Sequence, residues 1–331
     1  MKIIVDGMGG DNAPLEIVKA CVQAVEQLDT DIVIVGKQDK IEEVFSKEGL
    51  SKNRIEIVDA QEEILMDDEP ISVRHKKESS MAKGLYLLKD GAGDAFVSAG
   101  NSGALLVGST LFVRCIKGVK RAAFAPTICS VHGKFILADG GANIECTPEM
   151  LDLFARMGSV YIKGMFGVEN PRVGLANNGA EESKGIPMYV EAHKLLKEDK
   201  KINFVGNIEG RDVMYNKCDV LVCDGFTGNF ILKCTEGAAL MVFGAVKDVF
   251  KTNLRTKIAY LLASKEVGIM KKKVDYKEVG GAVLLGISKP VVKAHGSSDQ
   301  RAFFGAIRQA VTFAKSSIIE DIEKSVANDL Y

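Results

Sequence analysis

Seven short segments of this sequence combine glycine with side chains that donate hydrogen bonds. They are Asp6-Gly7-Met8-Gly9-Gly10-Asp11-Asn12, Ser98-Ala99-Gly100-Asn101-Ser102-Gly103, Asp139-Gly140-Gly141-Ala142-Asn143, Asn177-Asn178-Gly179, Gly206-Asn207, Asp224-Gly225-Phe226-Thr227-Gly228-Asn229 and His295-Gly296-Ser297-Ser298-Asp299. Glycine lets backbone N–H groups approach an anion closely, and Asn, Ser and Thr add neutral donors. Such loops suit a phosphate or a polarised carbonyl, although ordinary tight turns have the same composition one at a time. Two side chains could add charge or proton chemistry: Lys184, in Glu181-Glu182-Ser183-Lys184-Gly185, and His295, between Lys293 and Gly296. With an oxyanion-stabilising pocket they would serve acyl or phosphoryl chemistry. A solvated lysine and a structurally satisfied histidine are the plain alternatives.

The elements that must position these loops are legible as short apolar runs: Ile3-Val5, Ile32-Val35, Ala95-Ser98, Phe135-Ala138, Val173-Ala176, Ile202-Val205, Val220-Cys223 and Val291-Val292. Helical periodicity fills the intervals, for example Leu15, Val18, Val22 and Val25, or Met150, Leu153, Phe154 and Met157. Uniformly apolar strands alternating with helices predict an α/β fold, a mostly parallel sheet with helices on both faces. Ligands of such sheets bind beyond the carboxyl ends of the strands, and the glycine loops follow those ends. Length fits one large unit over 1–331: no repeat or Pro/Ser-rich linker divides it.

Other classes fall away. The loops contain no G-x-x-x-x-G-K-[ST], and Gly91-Ala92-Gly93 precedes a strand where a dinucleotide fingerprint would follow one. Ala104 breaks a nucleophile-elbow pattern, and the four histidines form no H-E-x-x-H or similar cluster, so neither a serine hydrolase nor a metal site is expected. Seven scattered cysteines without a CxxC pair read as reduced thiols. No signal peptide or membrane-spanning run is expected, which places the chain in the cytoplasm. The 33 glycines, about one residue in ten against an average near 7%, are the one unusual count.

Taken together, Met8-Gly9-Gly10-Asp11, Ser79-Ser80-Met81, Ser98–Ala104, Gly141-Ala142-Asn143, Met157-Gly158-Ser159-Val160, Asp224–Asn229, Gly280-Gly281-Ala282 and Lys293-Ala294-His295-Gly296 resemble the bacterial PlsX-type phosphate acyltransferases, in order from about residue 3 to about residue 310. Ser102 stands where that family commonly has threonine, and Gly140 where it commonly has a larger apolar residue. The resemblance implies a homodimer with a fold like isocitrate and isopropylmalate dehydrogenases and no cofactor. It also implies transfer of a fatty acyl group from acyl carrier protein to inorganic phosphate, giving acyl phosphate for phospholipid synthesis. Phosphate is then the nucleophile, and the protein supplies position and charge.

On that reading Gly9, Gly10, Gly100 and Gly103 offer backbone N–H groups, and Asn12, Asn101, Ser102, Asn143 and Asn229 offer side-chain donors. Asp6, Ser98, Asp224, Thr227 and Ser297 complete the expected substrate-binding set, with Lys184 and His295 as catalytic residues. Lys184 would offset charge, and His295 would orient phosphate or protonate the leaving thiolate.

Charge is uneven along the chain. Between Lys247 and Lys273 stand eight Lys or Arg against two acids, a local charge of +6 in a chain whose total is −1. Phe250, Leu254, Ile258, Leu261 and Leu262 recur there at helical spacing, which predicts a protruding basic amphipathic helix or hairpin at 247–273. Lys251, Leu254, Arg255, Ile258, Leu261 and Leu262 would contact a dimer partner, the acidic carrier protein or an anionic membrane surface, making the protein peripherally membrane-associated. The resemblance favours the membrane and adds the membrane glycerol-phosphate acyltransferase as a partner. No aromatic or Arg/Gly platform suggests nucleic acid. A phosphotransacetylase acting on acyl-coenzyme A, or a non-catalytic membrane or carrier-protein scaffold, are the competing readings.

Overall fold

The computed structural model describes residues 1–130, 133–274 and 280–327, the last six of the second stretch in backbone only. Eleven strands form one sheet: β1 Lys2–Asp6, β2 Asp31–Gly36, β3 Ile55–Asp59, β4 Ala95–Ser98, β5 Ala123–Ser130, β6 Gly133–Ala138, β7 Arg172–Asn177, β8 Asn203–Glu209, β9 Val220–Val222, β10 Ala282–Leu285 and β11 Val291–Lys293. Their order is β3-β2-β1-β4-β11-β10-β5-β6-β9-β7-β8. The central strands are apolar on both faces because helices cover both. Ile3, Val5 and Val97 pack with the helices Leu15–Gln27 and Gln300–Lys315, while Ile4, Phe96 and Val291 pack with Ser80–Lys89 and Ser102–Gly108.

The expected parallel sheet is present in two halves. Strands β3-β2-β1-β4-β11 are mutually parallel, and so are β6-β9-β7-β8. Between them β10 runs antiparallel to both β11 and β5, and β5 antiparallel to β6. Three reversals leave the two halves pointing in opposite directions. The loops therefore do not all leave one edge of the sheet. They form two groups, which approach each other across the seam: Lys293 faces Ala282, Ala282 faces Pro126, and the Asp139–Gly140 turn follows β6 next to Pro126. Gly140 is tightly fitted there, since a Cβ would sit 2.5 Å from Pro126 Cδ. A larger residue at that turn would need a different seam.

Beyond β9 the chain leaves the sheet as the helix Gly225–Lys251, turns, and returns as Leu254–Val274, with the Phe250 and Tyr260 rings 5.2 Å apart between them. The stretch expected to protrude at 247–273 is the tip and return arm of a longer hairpin that begins at Gly225, and Phe250 lies on the first helix while Leu254–Leu262 lie on the second. Leu254, Ile258, Leu261 and Leu262 share one exposed stripe, but amphipathic order does not continue along the second helix. Lys251, Arg255 and Lys257 are exposed; the side chains of Lys271, Lys272 and Lys273 lie outside the described residues. The first helix is apolar enough over 18 residues to cross a membrane, by length and composition alone, with Lys233 and Glu236 as interruptions. Its N-terminus nevertheless belongs to the fold: Gly225 and Gly228 are buried, and a Cβ on Gly228 would overlap the Asp139 carbonyl. Gly228→Ala is expected to lower stability by about 2–3 kcal/mol through overpacking, read as a lower urea midpoint.

Candidate active site

The first loop group is built at the carboxyl ends of three adjacent parallel strands, where β1 ends in Asp6, β4 in Ser98 and β11 in Lys293, with Ser98 and Lys293 directly paired. The Asp6 carboxylate is fully buried and accepts from Ser80 Oγ at 2.6 Å, Ser98 Oγ at 2.7 Å and the Met8 N–H at 3.2 Å. Burial raises its pKa, and these hydrogen bonds pull it back. Ser98 Oγ in turn accepts from the Gly100 N–H at 3.0 Å. Gly9 has no room for a side chain, because a Cβ would meet both the Asp6 carboxylate and Gly100 N at 2.6 Å.

The His295 loop is stapled to this frame. Asp11 N–H donates to the Gly296 carbonyl at 2.9 Å, and Asn12 Nδ2 donates to those of Ser297 and Ser298 at 3.3 and 3.1 Å. Lys293 lies beneath, buried, with Nζ donating to the carbonyls of Ala99 at 3.1 Å and of Ala294. His295 is partly exposed. Its Nδ1 receives the Ser297 N–H at 3.3 Å and lies 3.0 Å from Ser297 Oγ. A donor on Nδ1 leaves the proton of neutral imidazole on Nε2, which is 4.0 Å from Glu236 Oε1. Burial lowers the His295 pKa, with Lys233 and Lys293 adding to the shift and Glu236 and Asp11 opposing it, which favours the neutral ring.

The second group forms where β6, β9 and β7 end. Asp139 is buried and accepts from the N–H groups of Phe124, Gly141, Ala142 and Asn143 and from Asn143 Nδ2. Burial again raises its pKa against those bonds. Asp224 caps the Gly225–Lys251 helix by accepting the Thr227 N–H at 2.8 Å, and also accepts Thr227 Oγ1 and the Tyr189 hydroxyl. Lys184 lies on the exposed loop after β7, its carbonyl held by Asn177 Nδ2 at 3.0 Å, and its ammonium has no partner among the described residues. One helix joins the two groups. Asn229, Lys233 and Glu236 stand at i, i+4 and i+7 on a single face of Gly225–Lys251, leading from Gly141, which neighbours Asn229, to His295.

Several expected phosphate donors have other partners. Asn101 Oδ1 caps Ser102–Gly108 by accepting the Ala104 N–H, and its Nδ2 donates to the carbonyls of Leu65, Met66 and Asp68. Asn143 Nδ2 is taken by the Ala122 carbonyl and Asp139, and Asn12 by the Ser297 and Ser298 carbonyls. The N–H groups of Gly9 and Gly100 turn inward to Asp6 and Ser98. Asp6, Ser98, Asp224 and Thr227 are framework rather than surface. Ser102 and Asn229 are exposed and make no side-chain hydrogen bond among the described residues; the N–H groups of Gly10, and of Ser102 and Gly103 in the first helical turn, have no acceptor among them either. Lys184 and His295 are not in contact. Lys293 stands in the motif Lys293-Ala294-His295-Gly296, but nothing in the sequence separates a buried lysine at the end of an apolar strand from an exposed one.

These placements separate two kinds of asparagine. Asn101→Ala and Asn143→Ala are each expected to cost about 2–3 kcal/mol of stability, through a lost cap or unpaired buried carbonyls. Ser102→Ala and Asn229→Ala should leave the unfolding midpoint within about 0.5 kcal/mol of wild type. Parallel urea titrations of the four variants measure this.

Comparison with known proteins places the chain. The family model described as "Fatty acid synthesis protein" matches residues 1–321. A phosphate acyltransferase of Clostridium novyi is 46% identical over 98% of both chains, and one of Clostridioides difficile 43% identical over 99% of this chain and 96% of its own. Among solved structures, a phosphotransacetylase from Streptococcus pyogenes superposes with TM-score 0.62 at 17% identity, covering 98% of this chain and 94% of that one. A 4-hydroxythreonine-4-phosphate dehydrogenase from Klebsiella pneumoniae does so with TM-score 0.55 at 13% identity, covering 95% and 99%. At such identities the structures share the fold, which is the dehydrogenase-like one expected. The sequence relatives show more: this chain belongs to the phosphate acyltransferase family and is an acyltransferase.

Proposed function

We propose that the enzyme transfers a fatty acyl group from the thioester of acyl carrier protein to inorganic phosphate, and that the acyl phosphate feeds phospholipid synthesis. The observation that carries this reading is His295. Its loop is hydrogen-bonded to the Gly10–Asn12 turn through the Asp11 N–H and Asn12 Nδ2, and its Nε2 lies 4.0 Å from Glu236 on the helix that leads to the second loop group, in a chain whose sequence relatives are phosphate acyltransferases over nearly their full length.

In this reading a phosphate oxygen attacks the thioester carbonyl carbon. The C–O bond forms, the C–S bond breaks, and the proton carried by hydrogen phosphate ends on the carrier thiol, so no oxidant or further reactant enters. Neutral His295 donates from Nε2 to the developing oxyanion, and Lys184 approaches from the second loop group to offset its charge. Each of His295→Ala and Lys184→Ala should lower kcat about 100-fold or more, the scale of losing one oxyanion donor, with an unfolding midpoint near wild type. Release of free carrier protein or coenzyme A from each thioester, with and without phosphate, tests the function. Phosphate-dependent release from the carrier-protein thioester supports it; preference for the coenzyme A thioester, or no release, overturns it.

The hairpin has a place in the same reading. Leu254, Leu261 and Leu262 are 74%, 74% and 80% exposed beside Lys251, Arg255 and Lys257, which suits an anionic membrane surface. Phe226, Phe230, Leu240 and Met241 are exposed along its first helix and suit a second copy of the chain. Wild-type protein is expected to sediment with vesicles containing anionic lipid at low salt, and Leu261→Glu with Leu262→Glu to remain in the supernatant. Equal sedimentation of both would remove the membrane from the account.

A further inference from the structure

One charged group is buried under the anion loops and has no part in the reaction just described. Lys293 ends β11 with its side chain 8% exposed, and its ammonium donates to two carbonyls, of Ala99 and of Ala294. The first belongs to the peptide that precedes Gly100, the second to the peptide that precedes His295. One atom therefore fixes the entry to the Gly100–Gly103 turn and the entry to the His295–Gly296 turn. Gly10 closes the same junction, since a Cβ on it would lie 2.8 Å from the Gly296 carbonyl and 2.9 Å from Ala99 Cβ.

We propose that Lys293 is the positioning residue for phosphate: its ammonium holds the loops of β4 and β11 in register and places a fixed positive charge behind the anion. The inference rests on the phosphate-transfer reading and adds the residue on which phosphate affinity depends. A buried cation with two neutral acceptors is costly unless its charge is used, because methionine would fill the same space without desolvating an ion. The charged groups facing it are Asp6 from β1, Asp11 from the loop after β1, Lys233 from the Gly225–Lys251 helix and the neighbouring His295. Burial brings the Lys293 pKa down to about 8, with Lys233 adding to the shift and Asp6 and Asp11 opposing it. The charge is then lost as pH rises through about 8, while a free lysine keeps it to about 10.4. The folded state is relieved of a buried charge over that interval, so this group makes the protein more stable as phosphate affinity falls. Alkaline loss of affinity is thereby distinguished from unfolding.

The experiment is the KM for phosphate in thioester cleavage between pH 6.5 and 9.5, with the unfolding midpoint alongside. Wild type should lose affinity about tenfold above pH 8 without losing stability. Lys293→Met should show a KM at least tenfold higher at pH 7 and no further rise that wild type does not share through the titration of phosphate itself. Asp11→Asn removes an exposed carboxylate that favours the charged lysine and should move the wild-type rise to lower pH. A wild-type KM in Lys293→Met, or the full alkaline rise retained in it, overturns the proposal. If that variant does not fold, an unmoved profile in Asp11→Asn does so. Should wild type cleave no thioester in response to phosphate, the functional reading fails on its own. Calorimetric binding of inorganic phosphate to wild type and the same variants then decides the role of Lys293 by the same criteria.

Discussion

A carboxylate buried at the end of a central strand must be met by donors, and this fold meets two such carboxylates with its functional loops. Asp6 gathers Ser80, Ser98 and the turn at Met8; Asp139 gathers the backbone from Gly141 to Asn143 and the N–H of Phe124 across the seam. Each carboxylate costs desolvation free energy, visible in a pKa pushed upward, and each loop offsets that cost by turning its N–H groups inward. The geometry of the outer surface follows from that inner demand. Gly9 and Gly100 are glycines because their backbones lie against Asp6 and against each other.

Much of the fold was legible because a strand buried on both faces leaves an unmistakable apolar run. Three strands were not. β3 is an edge strand whose Glu56 and half-buried Ile55 and Ile57 blur the pattern; β5 carries Pro126 in its middle; β10 is four residues behind a glycine pair. Two of these, β5 and β10, are the antiparallel seam, so the sequence reading recovered the parallel strands apart from the edge strand β3, and not the reversal between the two halves. Pro126 is tolerated because its register partner Ala282 begins β10, where the ladder is ending.

The site divides in the same way. Residue type and position after a strand located the loops correctly, yet could not say which way an amide points. Asn12, Asn101 and Asn143 differ from Asn229 only in whether a backbone carbonyl happens to lie within reach, and that is settled by segments distant in sequence, Ser297, Met66 and Ala122 among them. The burial of Lys293 leaves no local mark for the converse reason: its acceptor Ala99 and the charged groups that face it, Asp6, Asp11 and Lys233, come from elements distant in sequence.

The Gly225–Lys251 helix has a mechanical meaning beyond its composition. Twenty-seven residues at 1.5 Å each make a rod about 40 Å long, anchored at one end by the buried Asp224 cap and Gly228. Lys233 and Glu236 ride on it about 12–17 Å from that anchor. A tilt of 10° would carry the far end about 7 Å and the Glu236 carboxylate about 3 Å, most of the distance that now separates it from the His295 ring. Whatever the hairpin tip rests on is therefore geared down to the scale of a hydrogen bond at the imidazole.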